Sequence, residues 1–332
     1  MILAGDIGGT NARLAYFQSS NGTLRLVSER IFPSRAHSDL GEIVRQFVND
    51  SGNSPEVACF GIAGPVRNGR VETTNLPWIV DQSQLAQQMR LPSTWLINDL
   101  EANAWGIGAL ASQDLQTLHP GGSPATGNQA VIAPGTGLGE AGLYWDGKDK
   151  DHRIFACEGG HCDFAPLGDE QIELLRFLER RFGHVSYERI LTGSGLVNVY
   201  EFLCANSASQ DPPEYARQLD HPDPAAAISR AALAGTNPVA SQALDLWISV
   251  YGAEAGNLAL KIMATGGIFL GGGISPKILP RLTGPLFMKA FLDKGRMRSL
   301  LESIPVRVIT NDKVGLLGAA RYAAVNARAG PA

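Results

Sequence analysis

Asn98 and Asp99 follow the apolar run Trp95-Leu96-Ile97, and the carboxyl end of a buried strand is where an open α/β sheet offers polar side chains to a ligand. A carboxylate there suits a general base. Transfer of a phosphoryl group to a hydroxyl requires that the hydroxyl proton be accepted as the oxygen attacks, and an aspartate within hydrogen-bond reach does this without an elevated pKa. The same Asx pair also fits the cap of a helix over 100–110, and Asp99 can serve both purposes. Farther along, Glu158-Gly159-Gly160-His161 and Tyr187-Glu188-Arg189 set carboxylates and an imidazole around a glycine bend. Carboxylates accept several O–H donors, and Asn98 both donates and accepts, so the set suits a hydroxyl-rich ligand such as a sugar ring. Cys157, His161 and Cys162 are zinc-type ligands, but a fourth ligand and compact spacing are missing.

A second group of residues suits phosphates. Two apolar stretches within residues 2–17 flank Gly8-Gly9, with Asp6 in the bend, and glycines that admit positive φ let the amides near Thr10 and Asn11 converge on an anion. A carboxylate beside phosphates is repulsive unless a hard cation intervenes, so Asp6 points to magnesium nucleotide rather than bare phosphate. An ordinary Gly-Gly hairpin fits the same segment. The pattern recurs where Ala130-Val131-Ile132-Ala133 enters Gly135-Thr136-Gly137-Leu138-Gly139, which lacks the Lys-Ser/Thr of a Walker loop. A third turn, Gly271-Gly272-Gly273, lets a base or ribose lie against backbone, or simply joins a strand to a helix.

The elements that must hold these groups are readable from periodicity. The opening hairpin and a strand over Thr23–Phe32 lead into a helix carrying Leu40, Ile43, Val44, Phe47 and Val48 at helical spacing, capped by Ser38 or Asp39. Residues 56–63 read as a central strand, 83–90 as a helix, Thr94–Ile97 as a second buried strand and Leu100–Leu110 as a helix. That makes the first third a mixed-sheet α/β domain. The restart at residue 130 implies two related halves facing one another across a cleft. In the second half, helices are expected over 170–182, with Ile172, Leu175, Leu178 and Phe182 on one stripe, over Leu196–Cys204 and over 240–264. Val306–Ile309 is a last strand and Gly315–Ala327 a terminal helix, while the proline-rich stretch Ser207–Pro224 reads as a connection and the role of residues 207–237 stays open.

Composition narrows the class. A chain of 332 residues, 44% hydrophobic, is enough for two cores. Formal net charge of −4 and a sequence pI near 5.9 argue against nucleic acid or an anionic membrane as the main partner. No run reaches the length of a membrane span, no leader is recognisable at the N-terminus, and Cys59, Cys157, Cys162 and Cys204 lack C-x-x-C spacing, so a cytoplasmic, reduced protein is expected.

Five segments in register, Gly5–Arg13, Leu96–Asp99, Gly135–Gly139, Glu158–Pro166 and Gly183–Gly195, closely resemble bacterial glucokinases of the proteobacterial type over nearly the whole chain. The resemblance implies the two-domain actin-like (ribonuclease H-like) ATPase fold, with a cleft between a small α/β domain, 1–110 plus 312–332, and a larger α+β domain, 111–311. It implies ATP-dependent phosphorylation of D-glucose to glucose 6-phosphate, the entry to glycolysis, with Mg²⁺ as cofactor and a homodimer as the assembly. Asp99 would be the catalytic base, and Asn98, Asp99, Glu158, His161 and Glu188 would bind the sugar. Gly5, Asp6, Ile7, Gly8, Gly9, Thr10 and Asn11, with Gly135, Thr136, Gly137 and Gly272, would bind nucleotide, and Asp6 would reach the metal through water. The cysteine cluster of the related ROK sugar kinases is absent, which disfavours that group. A kinase for mannose, fructose or an N-acetylhexosamine remains the alternative, as does a non-catalytic sugar-binding regulator, against which stand the intact Asp99 and the lack of a DNA-binding extension before Ile2.

Overall fold

The first apolar run forms β1 (Ile2–Ile7), turns back at Gly8 into β2 (Asn11–Ser20), and continues into β3 (Thr23–Pro33). The computed structural model describes all residues except 21, 74–75, 92, 123–125, 149–150, 207–217 and 330–332. Helix α1 (Leu40–Ser51) opens with reciprocal capping: Asp39 accepts from the Glu42 N–H at 2.8 Å, and Glu42 accepts from the Ser38 N–H at 2.8 Å. Leu40, Ile43, Val44 and Phe47 bury its apolar stripe. Next come β4 (Val57–Ile62), a ribbon of β5 (Arg70–Glu72) and β6 (Ile79–Asp81), α2 (Gln82–Met89), β7 (Thr94–Asn98) and α3 (Asp99–Ile107). Asn68 and Gly69, both left-handed at φ 51° and 71°, make the tight turn before β5.

These strands form a sheet in the order β3-β2-β1-β4-β7. β1 is antiparallel to β2 and parallel to β4, and β4 is parallel to β7. The register sets Ile7 opposite Ile62 and Ile62 opposite Asn98, so the carboxyl ends of β1, β4 and β7 share one edge. Strand β4 is apolar and almost wholly buried, as a parallel strand covered on both faces must be.

The chain then enters β8 (Leu115–His119), β9 (Gln129–Pro134), β10 (Leu138–Asp146) and β11 (Asp151–Cys157). Helices α4 (Gly168–Phe182), α5 (Gly193–Asn206), α6 (Pro224–Ala234) and α7 (Pro238–Ile262) lead to β12 (Gly267–Leu270). Short helices α8 (Leu279–Leu282), α9 (Pro285–Leu292) and α10 (Arg298–Glu302) precede β13 (Val306–Ile309). The sheet order β11-β10-β9-β12-β13-β8 repeats the first arrangement, with an antiparallel pair β9/β10, parallel pairs β9/β12 and β12/β13, and β8 added at the edge. Helix α7 is buried on nearly every face, which explains its near-continuous apolar sequence.

Helix α11 (Val314–Ala329) packs on α3 through small residues. A β-carbon on Gly106 would collide with the Val314 carbonyl, and one on Gly318 with that of Ala102. This close seam fixes the axis of α3 and hence the position of its first residue, Asp99. The chain divides into one unit of Met1–Asp114, Ile154–Ala156 and Asn311–Ala332, and a second of Leu115–Arg153 and Cys157–Thr310.

Several local expectations change. Asp6 lies inside β1, paired across the hairpin with Arg13, rather than in the bend, and neither Gly8 nor Gly9 has positive φ. The buried stripe of α4 is Gln171, Leu174 and Leu178, with Ile172, Leu175 and Phe182 half-buried on its margins. The expected connection over Ser207–Pro224 lies outside the described residues as far as 217, and Pro224 is already the first residue of α6, whose cap Asp223 accepts from the Ala226 N–H. Among the described residues no helix is long and apolar enough to cross a membrane.

Candidate active site

In the first unit, the shared strand edge gathers three features. The Gly8 N–H closes the hairpin by donating to the Asn11 carbonyl at 2.9 Å, and buried Ser34 holds the opposite side, its hydroxyl donating to the Gly8 carbonyl at 2.8 Å and its N–H to that of Thr10 at 2.9 Å. With these carbonyls engaged, the Gly9 and Thr10 amides have no acceptor among the described residues, which is what an anion-binding turn requires. Gly5 is needed for packing, since a β-carbon there would collide with the Phe60 ring. Asp6 is pressed against the first turn of α11, where a β-carbon on Gly315 would lie 3.1 Å from its Oδ2. Burial pushes the Asp6 carboxyl above the usual range, Arg13 opposes this and Asp312 reinforces it. Arg13 is itself engaged by Asp312, to whose Oδ2 it donates at 3.0 Å.

At the end of β7, Asn98 is the cap of α3. Its Oδ1 accepts from the N–H of Leu100 at 2.8 Å and of Glu101 at 3.4 Å, and its Nδ2 donates to the Gly64 carbonyl at 3.0 Å, joining the ends of β4 and β7. Asn98 is the N-cap, and Asp99, at the first helical position, shares the task, its Oδ1 accepting from the same Leu100 N–H at 3.0 Å.

In the second unit the glycine turn is built on the same plan. The Gly135 N–H donates to the Gly137 carbonyl at 2.8 Å, and the Gly135 carbonyl accepts from the Gly193 N–H at 3.1 Å. Glu188 ties this turn to the sugar-type residues, its Oε2 accepting from the Leu138 N–H at 3.0 Å. Segment 162–164 pairs with 185–187, through the Phe164 N–H to the Val185 carbonyl at 2.9 Å and the Tyr187 N–H to that of Cys162 at 3.1 Å. That pairing brings residues distant in sequence together: His161 lies 3.9 Å from Glu158 through Nε2 and 3.9 Å from Glu188 through Nδ1. Glu158 and His161 are exposed and Glu188 half-buried, so all three remain accessible to a ligand. Among the described residues no group of three or more His, Cys, Asp or Glu side chains is arranged to hold a metal.

Beside the turn lies a cavity of about 750 Å³, within the range of small-molecule sites. Gly135 and Thr136 line one side and Gly273 another. Gly272 is a turn residue at φ 75° whose β-carbon would collide with the Pro134 carbonyl, so it shapes the wall while Gly273 forms it. Sequence reasoning missed most of the lining: Thr192 and Ser194 at the start of α5, Asp223 and Ala225 at the start of α6, and Trp247 and Lys277. Thr192 caps α5 by accepting from the Gly195 N–H at 2.9 Å, and two helix N-termini at one cavity favour an anionic or polar ligand. The Thr192-Gly-Ser-Gly195 run that opens α5 was the available sequence signal for the first, whereas nothing local marked the second.

The fold is that of the actin-like ATPases that phosphorylate sugars. A glucokinase from an Antarctic psychrotroph matches it with a TM-score of 0.85 at 32% identity, covering 98% of each chain. A Balamuthia mandrillaris glucokinase in complex with glucose matches with a TM-score of 0.77 at 25% identity, covering 98% of this chain and 93% of that one. The glucokinase family model matches residues 3–326, and the glucokinase of Nostoc sp. (strain PCC 7120) is 42% identical over 340 residues, 98% of this chain and 99% of the relative. The chain belongs to the glucokinase family.

Proposed function

We propose that this protein transfers the γ-phosphoryl group of ATP to the 6-hydroxyl of D-glucose. The observation that carries this reading is the cluster of Glu158, His161 and Glu188, linked through Leu138 to the Gly135–Gly137 turn, in a chain of this family. Asp99 accepts the proton of the attacking hydroxyl from the first position of α3, where its Oδ1 also accepts from the Leu100 N–H at 3.0 Å. Glu158, His161 and Glu188 take the sugar hydroxyls, and Asn98 has one amide N–H beyond its bond to Gly64 for another. The adenosine moiety occupies the cavity, while the amides of the two glycine turns hold phosphate oxygens.

A single half-buried carboxylate with its charge only partly offset by Arg13 fits Mg²⁺, which keeps several waters and takes one or two protein carboxylates beside nucleotide phosphates. Asp6 is the residue that would hold it, through water, and the ion would offset charge on the β- and γ-oxygens. The homodimer and the cytoplasmic setting are carried over from the resemblance. A coupled assay across glucose, mannose, fructose and N-acetylhexosamines, with ATP, ADP and pyrophosphate as donors, tests the reading. Glucose with ATP is expected to give the highest kcat/KM, and absence of glucose-dependent ATP consumption defeats it.

A further inference from the structure

Among the described residues of the second unit two carboxyl side chains are buried, Glu140 on β10 at 1% exposure and Glu254 on α7 at 0%. Glu254 is satisfied: Oε2 accepts from Asn257 Nδ2 at 2.8 Å and Oε1 pairs with Lys261 Nζ at 3.2 Å. Glu140 is not. Its Oε1 has no hydrogen-bond partner among the described residues, and its Oε2 fills the space that a β-carbon on Gly159 would need. The carboxyl therefore lies directly against the backbone of the Glu158–His161 segment, which explains why residue 159 is glycine.

We propose that Glu140 is a positioning residue for the sugar, its uncharged carboxyl supporting the Glu158–His161 segment and its ionisation loosening glucose binding. The inference rests on the glucokinase reading of that segment. Burial and the Glu254 charge push the Glu140 carboxyl up to about 7, against the opposing Lys261 cation, so the group changes charge within the working pH range. From α7 the groups facing it are Glu254, Tyr251 and Lys261. From β11 and the segment after it, Cys157 faces Glu140 directly, and Glu158 and Cys162 lie beside Cys157. Tyr187 and Lys294 act on the pair through Glu254. Lys261 Nζ is bonded to Glu254 rather than to Glu140, so the proton of the Glu140 carboxyl is what keeps that side chain neutral. Once that proton leaves, a buried carboxylate with an unfilled acceptor must draw in donors or water, and the wall it touches is the sugar segment.

Calorimetric titration of glucose into the wild type and Glu140→Gln from pH 6 to 8.5 tests this. The wild-type Kd is expected to rise about tenfold from pH 6 to 8 as the competent fraction falls, while Glu140→Gln, always neutral, stays flat. Lys261→Met, which removes the opposing cation, should move the wild-type break to higher pH and provides the reading if Glu140→Gln fails to fold. A wild-type Kd that is constant over this range, or a Glu140→Gln profile parallel to the wild type, overturns the proposal. Failure of the wild type to bind glucose even at pH 6 overturns the sugar assignment as well, and turnover with another hexose then identifies that separate error.

Discussion

Glu188 accepts a hydrogen bond from the backbone N–H of Leu138 at 3.0 Å, and its other carboxylate oxygen faces His161 at 3.9 Å. One side chain thus serves both the sugar cluster and the exit of the glycine turn, where a β-carbon on Gly137 would lie 2.8 Å from the same Oε2.

Truncation of that side chain is expected to affect both substrates. Glu188→Ala should raise the KM for glucose by roughly ten- to a hundredfold, in keeping with loss of charge-assisted hydrogen bonds, and should also raise the KM for ATP. Glu188→Gln keeps an acceptor for the Leu138 N–H, so its ATP KM should return towards the wild type while its glucose KM stays high. Steady-state kinetics with each substrate varied separately measure the split.

Asp99 and its neighbour Asn98 should separate chemistry from stability. Asp99→Asn is expected to lower kcat by at least about a hundredfold with an unchanged melting temperature, because the helix cap is intact. Asn98→Ala should cost about 1 kcal/mol of stability through loss of the α3 cap. Thermal denaturation beside turnover assays distinguishes the two.

The cavity beside Gly135 offers a steric test. Ala225→Trp projects a large ring into it from the first turn of α6, and the KM for ATP should rise at least about tenfold, an energetic change of about 1.4 kcal/mol. The Kd for glucose, titrated without nucleotide, should stay near the wild-type value.

Stability should depend on pH through Glu140. Its carboxyl stands at 4.5 ordinarily and about 7 in the folded protein, so between these values the folded state holds a proton that the unfolded chain has lost. Stability therefore falls as pH rises through this window and levels off above it, by at most about 3 kcal/mol. Glu140→Gln lacks this slope. Urea unfolding of both proteins at pH 5 and pH 8 should show the variant gaining on the wild type at the higher pH.

The strands that carry the glycine turns were legible because β1, β4, β7 and β9 are short apolar runs ending in glycine or Asx, and α7 because its apolar character is continuous. Strands β8 and β11 were not, since neither contains a buried residue and both lack the apolar signal. Gly5 illustrates a residue whose type was noticed for one reason and is required for another: the turn suggests a phosphate, while the Phe60 ring needs the space. Glu140 carried no sequence signal at all, being one acidic residue in a strand.

By itself the sequence determined the local chemistry: glycine turns, the Asn98-Asp99 pair after an apolar strand, and the Glu158–His161 and Glu188 segments, all set by residue type and spacing within a few positions. Only the tertiary structure decided which Asx residue caps α3, that Glu188 answers to Leu138, and that Glu140 is buried beneath Gly159 beside Glu254. The physical reason is that hydrogen-bond satisfaction and desolvation depend on groups brought close by packing from far along the chain, and these partners leave no mark in the local pattern.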